Sequence, residues 1–88
     1  MIGSVLDNIR ICKDIFWIKI YSSFIIERAN PGQFVMLKVS STKDPLLRRP
    51  FSICSISEDH FSILYKVRGI GTNIMSNIKR GDVVDIIG

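Results

Sequence analysis

The residues best suited to chemistry in this 88-residue chain fall in two runs. The first is Leu47-Arg48-Arg49-Pro50-Phe51-Ser52-Ile53. Proline disfavours the helical region for the residue before it, so Arg49 is held extended. Pro50 fits the opening of a strand, where no ladder hydrogen bond is required of it. A guanidinium, an aromatic ring and a hydroxyl thus follow one another at a strand entrance. A guanidinium forks onto phosphate oxygens, and a serine hydroxyl can donate to or accept from a ring nitrogen. The same residues also suit a plain basic loop feeding an ordinary strand. The second run is Tyr65-Lys66-Val67-Arg68-Gly69-Ile70-Gly71-Thr72, a strand passing through two glycines into a helix start. Backbone N–H groups and the helix dipole make such a start a cradle for phosphate, and glycine lets the anion come close. It is neither a G-x-G-x-x-G fingerprint nor a Walker loop, and a tight turn with no ligand fits it equally. Two anion-friendly elements separated by one hairpin can meet at one edge of an antiparallel sheet. A ligand with a diphosphate and a flat ring system would use both.

The elements that must position these runs are strands. Phe16, Ile18 and Ile20 alternate with Trp17, Lys19 and Tyr21; Phe34, Met36 and Lys38 with Val35, Leu37 and Val39; Phe61, Ile63, Tyr65 and Val67 with Ser62, Leu64 and Lys66. This period of two predicts strands near 4–12, 15–22, 33–40, 51–57, 60–67 and 82–87. Asn30-Pro31-Gly32-Gln33 reads as a type II turn, Ser57-Glu58-Asp59-His60 as a hairpin connection, and Arg80-Gly81-Asp82 as a further turn. Over Thr72–Lys79, Ile74, Met75 and Ile78 form one apolar side of a short helix with Thr72 as N-cap and no capping box. Six short strands and one helix imply a small closed or nearly closed all-β barrel, because closure removes sheet edges.

Composition agrees. Sixteen Ile and six Val make a quarter of the chain β-branched and aliphatic, against the single Ala29, which argues against a helical bundle. The length provides one small core and rules out a complete two-domain enzyme. No uncharged run approaches the roughly 20 residues of a membrane span, and the first fourteen residues hold no signal-peptide core. Cys12 and Cys54 stand far apart among apolar residues and are expected as buried reduced thiols, with a structural disulfide as the alternative. A thiolate zinc or iron–sulfur site within the chain is not expected. The net charge of +4 permits an anionic partner without choosing one.

Pro31-Gly32-Gln33-Phe34-Val35-Met36-Leu37, Leu46-Leu47-Arg48-Arg49-Pro50-Phe51-Ser52-Ile53, Leu64-Tyr65-Lys66-Val67, Gly69-Ile70-Gly71-Thr72 and the closing Gly81-Asp82 together resemble the FAD-binding domain of the ferredoxin reductase superfamily. The double arginine before Pro-Phe-Ser-Ile favours the electron-transfer subunits of NAD-dependent (type B) dihydroorotate dehydrogenase. The resemblance covers essentially residues 1–88 and implies a six-stranded antiparallel Greek-key barrel with one short helix. It also implies roles. Arg49 would bind the FAD pyrophosphate. Pro50 and Phe51 would pack along the flavin, and Ser52 would lie near flavin N5, where a hydrogen bond biases the electron chemistry. Leu64, Tyr65 and Lys66 would hold the ring and ribityl region through their backbone. Gly71 and Thr72 would form the phosphate turn, with N–H groups from the helix beginning at Asn73.

Subunits of this kind continue into a nicotinamide-binding domain and a cysteine-rich segment holding a [2Fe–2S] cluster. NAD and the cluster are therefore expected outside these 88 residues. The partner implied is the dihydroorotate dehydrogenase catalytic subunit in the cytoplasm, with self-association open and neither nucleic acid nor membrane expected. A flavin domain of another reductase, or a non-enzymatic barrel using Lys43, Arg48 and Arg49 for nucleic acid or protein, are the rival readings. His60 reads as a solvated residue without a sequence partner, and Trp17 as barrel packing or an edge that another domain covers. The carboxylates show no paired spacing for acid–base work.

Overall fold

The structure is a computed structural model that describes residues 2–39 and 49–87. The described residues form six strands: β1 (Ile2–Cys12), β2 (Ile15–Tyr21), β3 (Phe34–Val39), β4 (Arg49–Ile56), β5 (Phe61–Lys66) and β6 (Val83–Ile87). All neighbours pair antiparallel, and the order β1-β2-β5-β4-β3-β6 closes on itself. This is the expected barrel. Among the described residues two helices accompany it: α1 (Ser23–Arg28) between β2 and β3, and α2 (Gly69–Ser76) between β5 and β6.

The alternation read from sequence becomes an inside and an outside. Val5, Ile18, Ile20, Val35, Leu37, Ile53, Phe61, Ile63, Val84 and Ile86 fill the barrel and are almost wholly buried. The helices add Ile25 from α1 and Met75 from α2, with Ile78 just beyond it. The turns behave as their residues require. Gly32 has φ +91° and Gln33 N–H donates to Asn30 C=O at 3.1 Å; Gly81 has φ +94° and Asp82 N–H donates to Lys79 C=O at 3.0 Å. Ser57 N–H donates to His60 C=O at 2.8 Å, closing the β4–β5 hairpin.

Several expectations are corrected. The six-residue α1 carries too few turns to show a helical period, so alternation alone passed over it. Helix α2 begins at Gly69, three residues before the expected cap. Both cysteines are free and exposed, not buried. Cys54 stands at the bulge between Ile53 and Ser55, and Cys12 faces Ile15 across the β1–β2 hairpin, so local geometry overrides their apolar surroundings. His60 has a partner after all: its Nδ1 lies 2.7 Å from the Asp59 carboxylate and the ring is largely covered. Lys43 and Arg48, two of the three basic residues of the rival nucleic-acid patch, lie outside the described residues. Among the described residues, no helix is long and apolar enough to cross a membrane.

Candidate functional site

β4 is built to end its pairing with β5 where the first chemical run begins. Ile53 spends both backbone groups on the β3 side: its N–H donates to Gln33 C=O at 2.8 Å, and its C=O accepts from Gly32 N–H at 2.9 Å. Strand alternation therefore turns Ser52 and Pro50 toward β5. Pro50 has no N–H to donate, so a ladder cannot continue through it. On the facing strand, Val67 N–H reaches Asp14 C=O on the far side at 2.7 Å, which turns the backbone groups of Leu64 and Lys66 toward β4. Among the described residues, β4–β5 pairing reaches no further than Ile53–Ile63, whereas β2–β5 pairing runs on to Ile15–Lys66. β4 and β5 thus part at the barrel mouth, leaving strand-edge backbone polar groups across an opening.

Side chains sort around this opening by the same alternation. Pro50, Ser52, Leu64 and Lys66 are exposed on the outer face. Phe34 sits opposite Ser52 in register and is 70% exposed; Leu64 is 54% exposed and sits opposite Trp17. The result is an apolar outer rim with one hydroxyl in it. Phe34 also borders a shallow groove shared with Phe24, Ile25, Arg28, Ala29, Gln33 and Val35. Trp17 is half-buried on the outer face under Lys19, whose Nζ lies 4.7 Å from the ring centroid. Arg49 opens β4 opposite Leu37.

Phe51 and Tyr65 turn the other way. Phe51 is partly buried and meets Tyr65 edge-on with centroids 6.1 Å apart, while Phe16 stacks on Tyr65 at 5.7 Å. The Tyr65 hydroxyl donates to Asn8 Oδ1 at 3.0 Å. Burial pushes the Tyr65 phenol up to about 12, so it remains a neutral donor across the physiological range. The Tyr65 backbone groups turn toward β2, so of Leu64, Tyr65 and Lys66 only Leu64 and Lys66 offer backbone groups to the opening.

α2 supplies the second run. Gly69 and Gly71 lie in its first turn, and Thr72 is buried. Arg68 N–H donates to Thr72 Oγ1 at 2.5 Å, and Thr72 Oγ1 donates to Arg68 C=O at 2.9 Å. Thr72 is therefore not the N-cap. It reaches back four residues from inside the helix to satisfy the amide of Arg68, the residue before the helix. The helix N–H groups left outside its own ladder move from Asn73 to residues 69–71. Asn8 anchors the other end: its Nδ2 donates to Met75 C=O at 2.9 Å and to Ile78 C=O at 3.0 Å. The sequence reading passed over Asn8. An asparagine at an inward place of a strand, opposite Ile18, was the available signal.

The structure brings Pro50, Phe51 and Ser52, Leu64 to Lys66, and the Gly71-Thr72 turn to one end of the barrel, because β4 starts where β5 ends and α2 follows three residues later. No family model matches the chain. The solved structure of an NADH-dependent reduced ferredoxin-NADP oxidoreductase, studied for flavin-based electron bifurcation, superposes with a TM-score of 0.83 at 28% identity, over 98% of this chain and 31% of that one. The barrel is that of the ferredoxin reductases. The ferredoxin reductase-like chain is also similar to dihydroorotate dehydrogenase B (NAD(+)) electron transfer subunits. That of Fusobacterium nucleatum is 39% identical over 87 residues, 97% of this chain and 34% of the relative. That of Bacillus mycoides is 37% identical over 86 residues, 96% and 33% respectively. The chain spans about a third of the length of the curated relatives it matches.

Proposed function

We propose that this barrel is the FAD seat of an electron-transfer subunit that passes electrons from NADH toward a dihydroorotate dehydrogenase catalytic subunit. The observation that supports it most is the parting of β4 and β5 beyond Ile53–Ile63, at the residues that resemble a flavin site. A flavin ring carries N–H and carbonyl groups along one edge and a flat apolar face, and the opening offers matching partners. The Lys66 amide and carbonyl face it, the Ser52 hydroxyl is exposed beside it, and Phe34 and Leu64 give it an apolar margin. The first turn of α2 adds N–H groups and a positive dipole end on the same side of the barrel, where a diphosphate would be received. The residues present therefore fit the group.

In this reading the bound flavin supplies hydride acceptance and onward single-electron release, which no side chain of the chain can perform. The chain's own work is placement. Arg49 holds the pyrophosphate, with Gly71 and the α2 start beside it. Ser52 presents its hydroxyl toward N5. Leu64 and Lys66 fix the ring edge through their backbone, and Tyr65 between them, in the Phe16–Tyr65–Phe51 cluster, keeps that strand rigid. NAD and a [2Fe–2S] centre would belong to other segments of such a subunit. Titration of the chain with FAD, followed by flavin absorbance and fluorescence, tests the reading. One FAD per chain and a loss of about 10- to 100-fold in affinity for Arg49→Ala are expected, the worth of a charge-assisted phosphate contact. Absence of flavin binding, or an Arg49→Ala chain that binds as well as the parent, overturns it.

A further inference from the structure

Asn8 is a polar residue at an inward position of β1, and its side chain bonds two other elements. Its Nδ2 holds the Met75 and Ile78 carbonyls at the end of α2, and its Oδ1 accepts the Tyr65 hydroxyl of β5. Tyr65 is itself clamped between Phe16 and Phe51. One amide therefore fixes where the end of α2 sits against β5. A helix of eight residues is about 12 Å long and moves as a unit, so its far end, residues 69–71, is set by the same amide. The other half of the opening is held by strand pairing, β4 by β3 and β5 by β2, with the Tyr65 hydroxyl as the tie from β5 to Asn8.

We propose that Asn8 is a positioning residue for the diphosphate of the dinucleotide, acting through α2 without touching the ligand. The inference rests on the flavin reading above. It separates the two halves of the ligand: Asn8 governs the phosphate half, and the β4–β5 edges govern the ring half.

The test compares FAD with riboflavin, which has the ring and no phosphate, on the full chain and on Asn8→Ala. Binding is read by flavin fluorescence, and α2 by amide hydrogen exchange. Asn8→Ala should weaken FAD about tenfold, leave riboflavin within about twofold, and speed exchange of the α2 amides while those of Ile18, Ile63 and Val84 stay protected. Should Asn8→Ala fail to fold, Asn8→Asp carries the same expectation, since it keeps the side-chain volume and the Tyr65 acceptor but loses both donors to α2. An equal loss for both ligands means a merely structural residue and overturns the inference, as does an unchanged FAD affinity. A parent chain that binds no FAD overturns the flavin reading and this inference with it, whereas a parent that binds FAD beside an unaffected variant overturns this inference alone.

Discussion

Thr72 offers the sharpest perturbation, because its place in α2 differs from the place its sequence context implies. Its hydroxyl accepts from Arg68 N–H at 2.5 Å and donates to Arg68 C=O at 2.9 Å, and the side chain is only 7% exposed. Thr72→Val keeps the shape and removes both bonds. Losing a buried hydrogen bond costs about 1 kcal/mol, and leaving the Arg68 amide unpaired adds about 1 kcal/mol or more, so about 2 kcal/mol of stability is expected to go. For a domain of this size that lowers the melting midpoint by roughly 10 °C. Thr72→Ser should recover most of it. Thr72→Asp is decisive. Aspartate is as good an N-cap as serine, so it would be neutral or better were Thr72 the cap. An ionised carboxylate still accepts from Arg68 N–H but cannot donate to Arg68 C=O, so the observed clasp predicts a loss of about 1 kcal/mol, roughly half that of Thr72→Val. Thermal and urea unfolding followed by circular dichroism measure all three variants. A Thr72→Asp chain as stable as the parent would refute the placement of the helix start at Gly69.

Further expectations come from the rest of the barrel. A Cβ at Gly3 would lie 2.5 Å from Ile86 Cδ1 and 2.7 Å from Ile20 Cγ2, both in the sealed core, so Gly3→Ala should cost about 1–3 kcal/mol in urea unfolding. The hydrogen bond from His60 holds the Asp59 carboxyl below its ordinary value of 3.8, with the His60 charge adding to it. The resulting stabilisation is present above the unfolded pKa and is lost as pH falls through the folded one; in His60→Ala, Asp59 should titrate nearer 3.8, as NMR of its carboxyl carbon will read. Tyr65 behaves in the opposite sense. Its folded pKa is raised to about 12 from 10.0, chiefly by burial, so its contribution is intact below pH 10 and is lost as pH rises toward 12; Tyr65→Phe should flatten that part of the stability–pH curve.

Much of the barrel was legible because its signals are local. Alternation in β2, β3 and β5 settles which side chains go inside, and the glycines at 32 and 81 mark turns whose positive φ other residues resist. What escaped depends on contacts distant in sequence. The α2 start was misplaced because Gly69 and Gly71 read as helix breakers, and their compensation comes from a hydroxyl that looks, locally, like a cap. The thiols were misplaced because their apolar neighbours were read in place of the alternation: Cys54 follows inward Ile53 and faces out, and Cys12 ends β1 at the hairpin. Asn8 carries no meaning until β1 is laid against β5 and α2, more than fifty residues away. The candidate site was legible for the same reason as the strands: Arg49-Pro50-Phe51-Ser52 is contiguous. Sequence could not show that Pro50 faces β5 and ends the ladder there, since that follows from which partner Ile53 bonds.

Amide chemical-shift mapping of FAD onto the 10.0 kDa chain addresses the central claim most directly. If the parted strands are the flavin seat, saturating FAD should shift the amides of Ser52, Leu64, Tyr65, Lys66, Gly69, Ile70 and Gly71 and leave those of Ile25, Arg28 and Ala29 at the α1 groove unmoved. Shifts confined to that groove, or none at stoichiometric FAD, would contradict the account.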